Sequence, residues 1–572
     1  MNPTKTRQRV SDALNEISRL MELQGENPFK SRSYANGARI VEQLEEPLET
    51  LIEEGRLGDV KGIGEALEQK ITELVTTGKL EFLENLRAQF PPTLFDLFKV
   101  SGLGAKRIKQ FYDELGIDSL DKLKAACEDN SLAKLKGVSG KLEAKILEGI
   151  AFAEQHAGQY LFDAAENAAL PLLEYMRGCK DVIRAELAGS LRRKKEVVKD
   201  IDIVTSSKKP AAVMDYFVAY PEAERVSSHG ETKSSLILKN GISADLRVVT
   251  DAQFPFALAH FTGSKEHNVV MRQLAKERGL KLNEYGLHGA DGKETPCKDE
   301  ADLYGALELE FIPPELREDH GEFDLDPIPE LIEARDMRGV IHCHTTYSDG
   351  HNTLREMVEA AKAQGYEYIL ITDHSQTAAY AGGLKPEKII QQQEEIAKLN
   401  KEIKGITILS GIESDILSDG SLDYEDDVLK SFDLVVASVH NKLDMDEDEA
   451  TKRVLKAIEN PYCDIIGHPT GRLLLARPGF PLHWDQIFDA CEANRVAIEI
   501  NANPKRLDLD WRQVLRSKEA GITFSIGPDA HRVETIDHIR YGIGIARKGG
   551  LEKEDVIGTY TLEELMAWRK SR

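Results

Sequence analysis

Cysteine, tryptophan and long apolar runs are all scarce in this 572-residue chain, and each scarcity removes a class of protein. The cysteines (Cys127, Cys179, Cys297, Cys343, Cys463 and Cys491) are scattered without paired spacing. That argues against a disulfide scaffold and suits a reducing compartment, so a cytoplasmic location is expected. No apolar stretch approaches the roughly 18 residues that span a bilayer, and the opening MNPTKTRQRV has no apolar core behind its charges. Membrane insertion and secretion are therefore not expected. Disorder is excluded as well, because 41% hydrophobic and 30% charged residues is ordinary for a soluble globular protein. At the usual ~100–200 residues per domain the length implies three or more domains.

Positive charge is also short, with a formal net charge of −24. Such a balance ordinarily argues against a nucleic-acid partner. The deficit is uneven, however, and steeper after residue 316. Local clusters such as Lys106, Arg107 and Lys109, or Arg192, Arg193, Lys194 and Lys195, remain available for phosphate contacts. DNA affinity should then be weak and salt-sensitive unless a divalent cation assists.

What the chain does have is a clear change of pattern along its length. Residues 1–150 read as helix after short helix, with apolar positions at three- and four-residue spacing and glycine-containing breaks. A repeat recurs there: VKGIGEALEQKI (60–71), VSGLGAKRIKQF (100–111) and LKGVSGKLEAKI (135–146). Residues 151–316 become mixed α/β, with strand-like runs DIDIVT, SSLILKN and ADLRVV. An acidic, proline-containing stretch follows and reads as a linker over 317–334. From 335 to 572, strands such as VIHCH, YILIT, LVVASV and VAIEINA alternate with helical stretches. That alternation predicts parallel strands with crossover helices, a barrel or a related layered fold. The expected class is thus multidomain, α followed by α/β.

Gly62 with Gly64, Gly102 with Gly104, and Gly137 with Gly140 stand where each pair would open a helix with its backbone N–H groups outward. A helix start of that kind binds phosphate without any side-chain charge. For one copy a plain connector between packed helices is an equal reading; three copies favour DNA binding. The repeats resemble helix–hairpin–helix motifs, which grip the nucleic-acid backbone without reading sequence. The first repeat continues as KITELVTTGKLEFLENL, and this stretch resembles the small N-terminal domain of family X DNA polymerases. The resemblance implies Lys70 as a Schiff-base nucleophile toward an abasic-site sugar, with Tyr34 in its pocket. An amine does this only when desolvation or neighbouring cations favour its free form. Here Ala66 replaces the family's second lysine and Glu68 and Glu73 lie near, so a solvated surface lysine is the competing reading.

In AGSLRRKKEVVKDIDIVT (188–205), Asp200 and Asp202 alternate on a predicted strand and so face the same side. Paired carboxylates repel unless a divalent ion neutralises them, which suits magnesium with substrate phosphates completing its shell. Gly189 and Ser190 offer a backbone turn and a hydroxyl to a triphosphate, and Arg192 and Arg193 offer forked donors. Asp245 in SADLRVV supplies a third acid. Three aspartates around two metals would activate a primer 3′-hydroxyl for in-line phosphoryl transfer. The set resembles the nucleotidyltransferase palm of family X DNA polymerases, and the resemblance extends through HFTGSKEHNVVMR (260–272) and GLKLNEYGLHG (279–289). It implies that Phe261 and Gly263 line the nucleotide sugar, Asn268 meets the base edge and Arg272 approaches the template. Where the family commonly has Tyr before the Phe this chain has His260, which puts its sugar discrimination in doubt.

The densest pattern lies between residues 342 and 531. His342 and His344 alternate on one strand with Asp349 just beyond; His374, Glu413, His440 and His468 each stand at or after a strand; Asp529 and His531 alternate again. In a parallel α/β barrel the C-terminal ends of strands share one face, so distant residues converge there. Nine N/O ligands without cysteine favour zinc, manganese or iron over calcium or a structural zinc site. The set resembles the PHP (polymerase and histidinol phosphatase) family, a distorted (β/α)7 barrel holding three metals. The resemblance implies one metal on His342, His344, Glu413 and Asp529, a second on Glu413, His440 and His468, and a third on Asp349, His374 and His531. Arg472, Asn503 and Arg506 are candidate substrate contacts.

Taken along the whole chain the resemblance is to bacterial and archaeal family X polymerases that carry a C-terminal PHP domain. It implies a lyase-like helical domain (1–90), a second helix–hairpin–helix region (91–150), the palm and nucleotide-binding domain (151–316), the linker (317–334) and the PHP domain (335–572). The implied activity is template-directed gap-filling DNA synthesis in repair, with a metal-dependent 3′–5′ exonuclease and abasic-site cleavage. The implied partners are gapped or primer-template DNA and deoxynucleoside triphosphates, with no membrane, acting as a monomer. The implied cofactors are magnesium or manganese at the palm and three manganese or zinc ions in the barrel. Two alternatives stay open: a small-molecule phosphatase-like PHP domain fused to the polymerase, and a DNA-binding scaffold with degenerate active sites.

Overall fold

The computed structural model describes residues 3–42, 44, 46–100 and 103–571. The chain divides into two compact units, Met1–Ala157 and Gly158–Arg572.

The N-terminal unit is helical, from Pro3–Gln24 through Glu65–Thr77 and Ala105–Leu115 to Gly140–Gln155. Val10, Leu14, Ile17 and Met21 recur at helical spacing and bury one stripe of the first helix. They belong to an apolar core that continues through Leu67, Ile108 and Leu123 to Ile150. The expected division at residue 90 is therefore absent from the packing: both repeat-bearing stretches share one core.

In the second unit, β1 (Val182–Leu187), β2 (Asp200–Ser207), β3 (Ala223–His229), β4 (Lys233–Leu238) and β5 (Ser243–Val249) form a sheet in the order β1-β2-β5-β4-β3. β2 and β5 are parallel neighbours and the other pairs antiparallel. Along β2, Ile201 and Ile203 are buried while Asp200 and Asp202 stay half-buried on the other face, the alternation a one-sided sheet requires. The helices Phe254–Thr262 and Lys265–Glu277, a three-stranded β-sheet and the helix Glu300–Ala306 follow, around their own small core of Phe256, Met271, Leu303 and Tyr304.

Seven parallel strands then run in chain order: β6 (Gly339–Cys343), β7 (Tyr368–Ile371), β8 (Thr407–Asp415), β9 (Leu434–Ser438), β10 (Ile465–Ile466), β11 (Ala497–Asn501) and β12 (Phe524–Gly527). A parallel bridge between Cys343 and Ala530 joins the first strand to the end of the last, with Ala530 N–H donating to the His342 carbonyl and His344 N–H to the Ala530 carbonyl. The strands are buried on both faces and so read as near-continuous apolar runs.

The stretch 317–334 is not a free linker. Arg317 is fully buried and donates from Nη1 to Glu300 at 2.6 Å. Glu322 accepts from buried His267 at 2.7 Å, and Ile332 N–H bonds to the Leu551 carbonyl at 2.9 Å. Its acids and prolines give it linker composition, but the acids are consumed as partners for buried cations. Glu318 is one of these: it lies 3.0 Å from Arg193 Nε and 2.5 Å from Nζ of Lys548, on the barrel helix Ile539–Lys548. Arg540 and Arg547 of the same helix pair with Glu166 and Glu315.

Candidate metal centres

The glycine hairpins are built as local strain demands. Gly62 takes φ 95° and Gly64 opens the helix Glu65–Thr77; Gly104 opens Ala105–Leu115; Gly137 takes φ 80° ahead of Gly140–Gln155. Gly102 lies outside the described residues. A side chain at Gly64, Gly104, Gly137 or Gly140 would meet nothing within 4 Å, so these turns are open on the outside. Neither of the first two helices has a side-chain cap, which leaves their leading N–H groups for solvent or an anion. The first turns differ in charge. Glu65 and Glu68 sit in the first, Lys106 and Arg107 in the second, and in the third Glu143 turns inward to accept from Ala133 N–H at 2.8 Å. The second hairpin is thus the most favourable to phosphate. Lys70 is half-buried rather than solvated, with Nζ 4.6 Å from the Phe82 ring centre and 5.9 Å from that of Tyr34.

In the sheet, Asp202 stands directly opposite Asp245 across the parallel β2–β5 pair, with Asp200 two residues before on the same face. Gly189, at φ 62°, lets the preceding turn press against Asp202: a Cβ there would collide with the carboxylate. Burial, with the charges of Asp200 and Asp245, pushes Asp202 up to about 7 and also raises Asp200. Lys233 Nζ lies 2.6 Å from Asp245 and supplies the nearest compensating charge. This lysine escaped sequence reasoning, because only the β4–β5 pairing brings it to the acids. Three facing carboxylates, two of them raised by burial and then by mutual repulsion, are a donor set that fits a hard divalent cation.

The neighbouring candidates divide. Ser190 remains half-exposed beside Gly189, and Phe261 lines a cleft with Arg247, Glu284 and Tyr285, the Arg247 guanidinium 4.9 Å from its ring centre. Arg272 is exposed. Gly263 (φ 74°) allows Arg193 Nη1 to approach to 3.0 Å of where a Cβ would stand. Arg192 and Arg193, expected as forked phosphate donors, are instead engaged: Arg192 with Glu300 at 2.5 Å and Thr262 Oγ1 at 2.6 Å, Arg193 with Glu318 and the Thr262 carbonyl. The acids of 300–322 supply charge that the sequence pattern could not assign to them. The Asn268 amide donates to the His260 carbonyl at 2.7 Å.

In the barrel, every imidazole and carboxylate of the nine-residue set comes to the C-terminal ends of the strands. Glu413, fully buried on β8, is the hub: His374 Nδ1 lies 2.9 Å, His468 Nε2 3.0 Å, His440 Nε2 3.2 Å, His342 Nε2 3.4 Å and His344 Nε2 3.6 Å from its oxygens. Asp529 lies 3.3 Å from His344 Nε2 and 3.6 Å from His342 Nε2. Asp349 lies 3.2 Å from His531 and 3.6 Å from His374. Three clusters close enough to hold an ion result: His344, Asp349, His374 and His531; His342, His344 and Asp529; His374, Glu413 and His440. His344 and His374 therefore lie between groups that the motif reading kept apart.

Burial and the neighbouring His531 and His374 depress His344 to about 3. Burial would likewise depress His440, but Glu413 and Asp415 outweigh it and lift it to about 10. Burial opposes ionisation of Glu413 and Asp529, yet the surrounding imidazoles hold both well below the usual carboxylate range. The backbone is strained at this site: His342, His468 and Asp529 adopt φ of 75°, 25° and 51°. Buried His342 Nε2, both His344 nitrogens, His468 Nδ1 and Glu413 Oε2 lack hydrogen-bond partners. Orphaned buried atoms aimed at one another, all N or O, fit divalent metal ligation.

A second layer holds this cage and was missed from the sequence. Glu499 accepts from His342 Nδ1 at 2.5 Å and from His468 N–H at 2.7 Å, and Asp415 contacts His440 Nδ1 at 2.5 Å. Asp373 receives Thr345 N–H and Oγ1, Ser348 and Gln392, fixing the loop that carries Asp349. An acid inside an apolar barrel strand, as in VAIEINA, was the available signal for Glu499. Arg472 is tied to Asp510 at 2.8 Å and to the Arg506 carbonyl, so it positions the 503–507 loop instead of facing the cage. Arg506, from that loop, reaches 3.7 Å from Asp529. Asn503 caps it through its side chain, accepting from Lys505 N–H.

Family models described as helix-hairpin-helix domain, SAM-like helix-hairpin-helix tandem, DNA polymerase beta thumb and PHP domain match residues 5–80, 95–151, 257–318 and 341–503. A protein of Bacillus subtilis (strain 168) named DNA polymerase/3′-5′ exonuclease PolX is 39% identical over 562 residues, 97% of this chain and 98% of its own. A probable phosphatase of Thermoanaerobacter sp. (strain X514) is 30% identical over 242 residues, which is 39% of this chain and 91% of that protein. The chain belongs to the PolX family, the family X DNA polymerases that carry a C-terminal PHP domain.

Proposed function

We propose that this chain fills short gaps in DNA by template-directed synthesis and trims 3′ ends with its barrel, using divalent cations in both places. The observation that carries the reading is the presence of two separate acidic sites in one unit: Asp202 facing Asp245 on the sheet, and Glu413 encircled by imidazoles in the barrel.

In the sheet, Asp200, Asp202 and Asp245 would hold magnesium or manganese, which would supply Lewis acidity for phosphoryl transfer. Gly189 and Ser190 present backbone and hydroxyl to the triphosphate, Phe261 and Gly263 bound the sugar, Asn268 meets the base edge and Arg272 the template. Arg193 reaches the phosphates only by exchanging Glu318, and Arg192 only by exchanging Glu300. In the barrel, the nine-residue set would hold three manganese or zinc ions, with Glu499 and Asp415 orienting His342 and His440 and Arg506 available to the scissile phosphate. The hairpins at Gly62–Gly64, Gly102–Gly104 and Gly137–Gly140 hold the DNA backbone, and Lys70 is a candidate abasic-site lyase nucleophile in its aromatic pocket. The helical region (1–150) carries the hairpins, residues 151–316 the nucleotidyl-transfer site and 335–572 the metal cage, with 317–334 packed between the latter two, in a cytoplasmic monomer.

Separable loss tests this. On a one-nucleotide gap with manganese, Asp200→Ala should abolish incorporation and spare degradation, and His342→Ala should do the reverse. Survival of both activities in both variants would end the reading. A second reading, phosphomonoester hydrolysis, is favoured by the barrel's similarity to proteins named probable phosphatases. Greater turnover of histidinol phosphate than of a single-stranded oligonucleotide by the full chain would establish it.

A further inference from the structure

The mouth of the barrel cage carries an aromatic ring that the ligand set does not explain. Tyr380 is 73% exposed, yet its ring centre lies only 6.2 Å from that of His374 and 6.5 Å from that of His440, the two imidazoles flanking Glu413. The ring stands on a locked turn. Ala381 N–H and Gly383 N–H both donate to the Ala378 carbonyl, at 2.9 and 3.1 Å, and Leu384 N–H donates to the His374 carbonyl at 2.8 Å. Ala378, Ala381 and Leu384 are buried, and any side chain at Gly383 would strike the Ser375 carbonyl. The turn is thereby packed onto the segment that bears His374. A large apolar face exposed on a rigid mount gains nothing for the fold, since folding leaves it in water.

Electrostatics alone serves a polyanion poorly here. The chain is acidic, and Glu413, Asp349 and Asp529 line the cage itself. Cations bound in the cage offset those acids locally, but the nucleotide beyond the scissile phosphate needs a contact that does not depend on positive charge. Stacking on an aromatic face is such a contact, and it tolerates any base. Arg506, 3.7 Å from Asp529, is the guanidinium or ammonium nearest the cage acids among the described residues.

We infer that Tyr380 stacks against the 3′-terminal base of an unpaired strand and selects frayed or single-stranded ends for hydrolysis at the barrel site. This deepens the exonuclease reading and rests on it. Pairing and stacking within a duplex hold the terminal base away from the ring, so paired ends are cut more slowly.

The test is manganese-dependent degradation of a single-stranded oligonucleotide ending in a normal 3′ nucleotide, against the same oligonucleotide ending in a tetrahydrofuran abasic residue. Tyr380→Ala should lower kcat/KM on the normal end roughly ten- to hundred-fold, mostly through KM, while Tyr380→Phe stays near the parent. On the abasic end the parent and Tyr380→Ala should be alike. Equal kcat/KM for parent and Tyr380→Ala on the normal end, an equal loss on both ends, or loss of manganese binding by Tyr380→Ala would each overturn the inference. A parent unable to degrade either strand would instead remove the exonuclease reading beneath it.

Discussion

Lys548 and Arg193 share one carboxylate. Glu318 accepts from Lys548, on the barrel helix, and from Arg193, three residues after Ser190. Lys548 also donates to the Arg193 carbonyl at 3.1 Å. The turn expected to receive a triphosphate is thus tied to the barrel through a buried acid and a direct bond from Lys548. Removing Glu318 would leave a buried ammonium uncompensated, a situation that costs about 3–5 kcal/mol. Glu318→Gln is expected to lose stability of that order in urea denaturation. Glu318→Gln with Lys548→Met should recover part of it, since the unpaired charge is gone. A double variant no more stable than the single one would refute the assignment.

Asp202 gives a pH signature. Its folded-state value of about 7 exceeds the ordinary carboxylate value of 3.8. The folded metal-free protein therefore holds a proton that the unfolded chain has released, and stability falls as pH rises from about 4 to about 7. Asp202→Asn lacks this slope. In chelator it should be more stable than the parent above pH 7, by about 4 kcal/mol at most, with the difference closing toward pH 4. Metal competes with that proton, so manganese affinity at the sheet site should weaken below pH 7. Thermal melts across this range, with and without manganese, check both.

Glu499 touches no substrate in this scheme, yet it fixes the tautomer of His342 and receives His468 N–H. Glu499→Gln should lower manganese affinity and strand degradation about 10–100-fold, leaving nucleotide incorporation intact. Titration calorimetry and the gap assay measure the two separately.

The hairpins should contribute unequally. Lys106→Gln is expected to reduce the slope of log affinity against log salt by about 1, without changing preference among sequences. Glu65→Gln, which removes an acid from the first helix start, should strengthen binding to gapped DNA instead. Fluorescence anisotropy over a salt series distinguishes them.

The parts of this protein that could be read from the chain are those whose chemistry repeats along it. His342 with His344, Asp529 with His531, and Asp200 with Asp202 alternate on strands, and alternation fixes a shared face before any fold is known. The strand-end positions of His374, His440 and His468 followed from the βα rhythm. Lys233, Asp415 and Glu499 were invisible for the converse reason: each acts through a neighbour contributed by another element, and one side chain in a strand carries no period. The stretch 317–334 misled because proline and acid are common to linkers and to segments that feed carboxylates to buried arginines. Arg192 and Arg193 misled in the same way, since a guanidinium fork suits Glu300 as well as a phosphate.

The Cys343–Ala530 bridge has a consequence for how the cage comes into being. His342, His344 and Asp349 arrive with the first strand of the barrel, Asp529 and His531 with the last, and the two meet only where that bridge forms. A cation held there would clasp the seam of the barrel, joining residues that stand at the two ends of the stretch His342 to His531. Loading the cage would thus tighten a seam whose backbone bonds are already made.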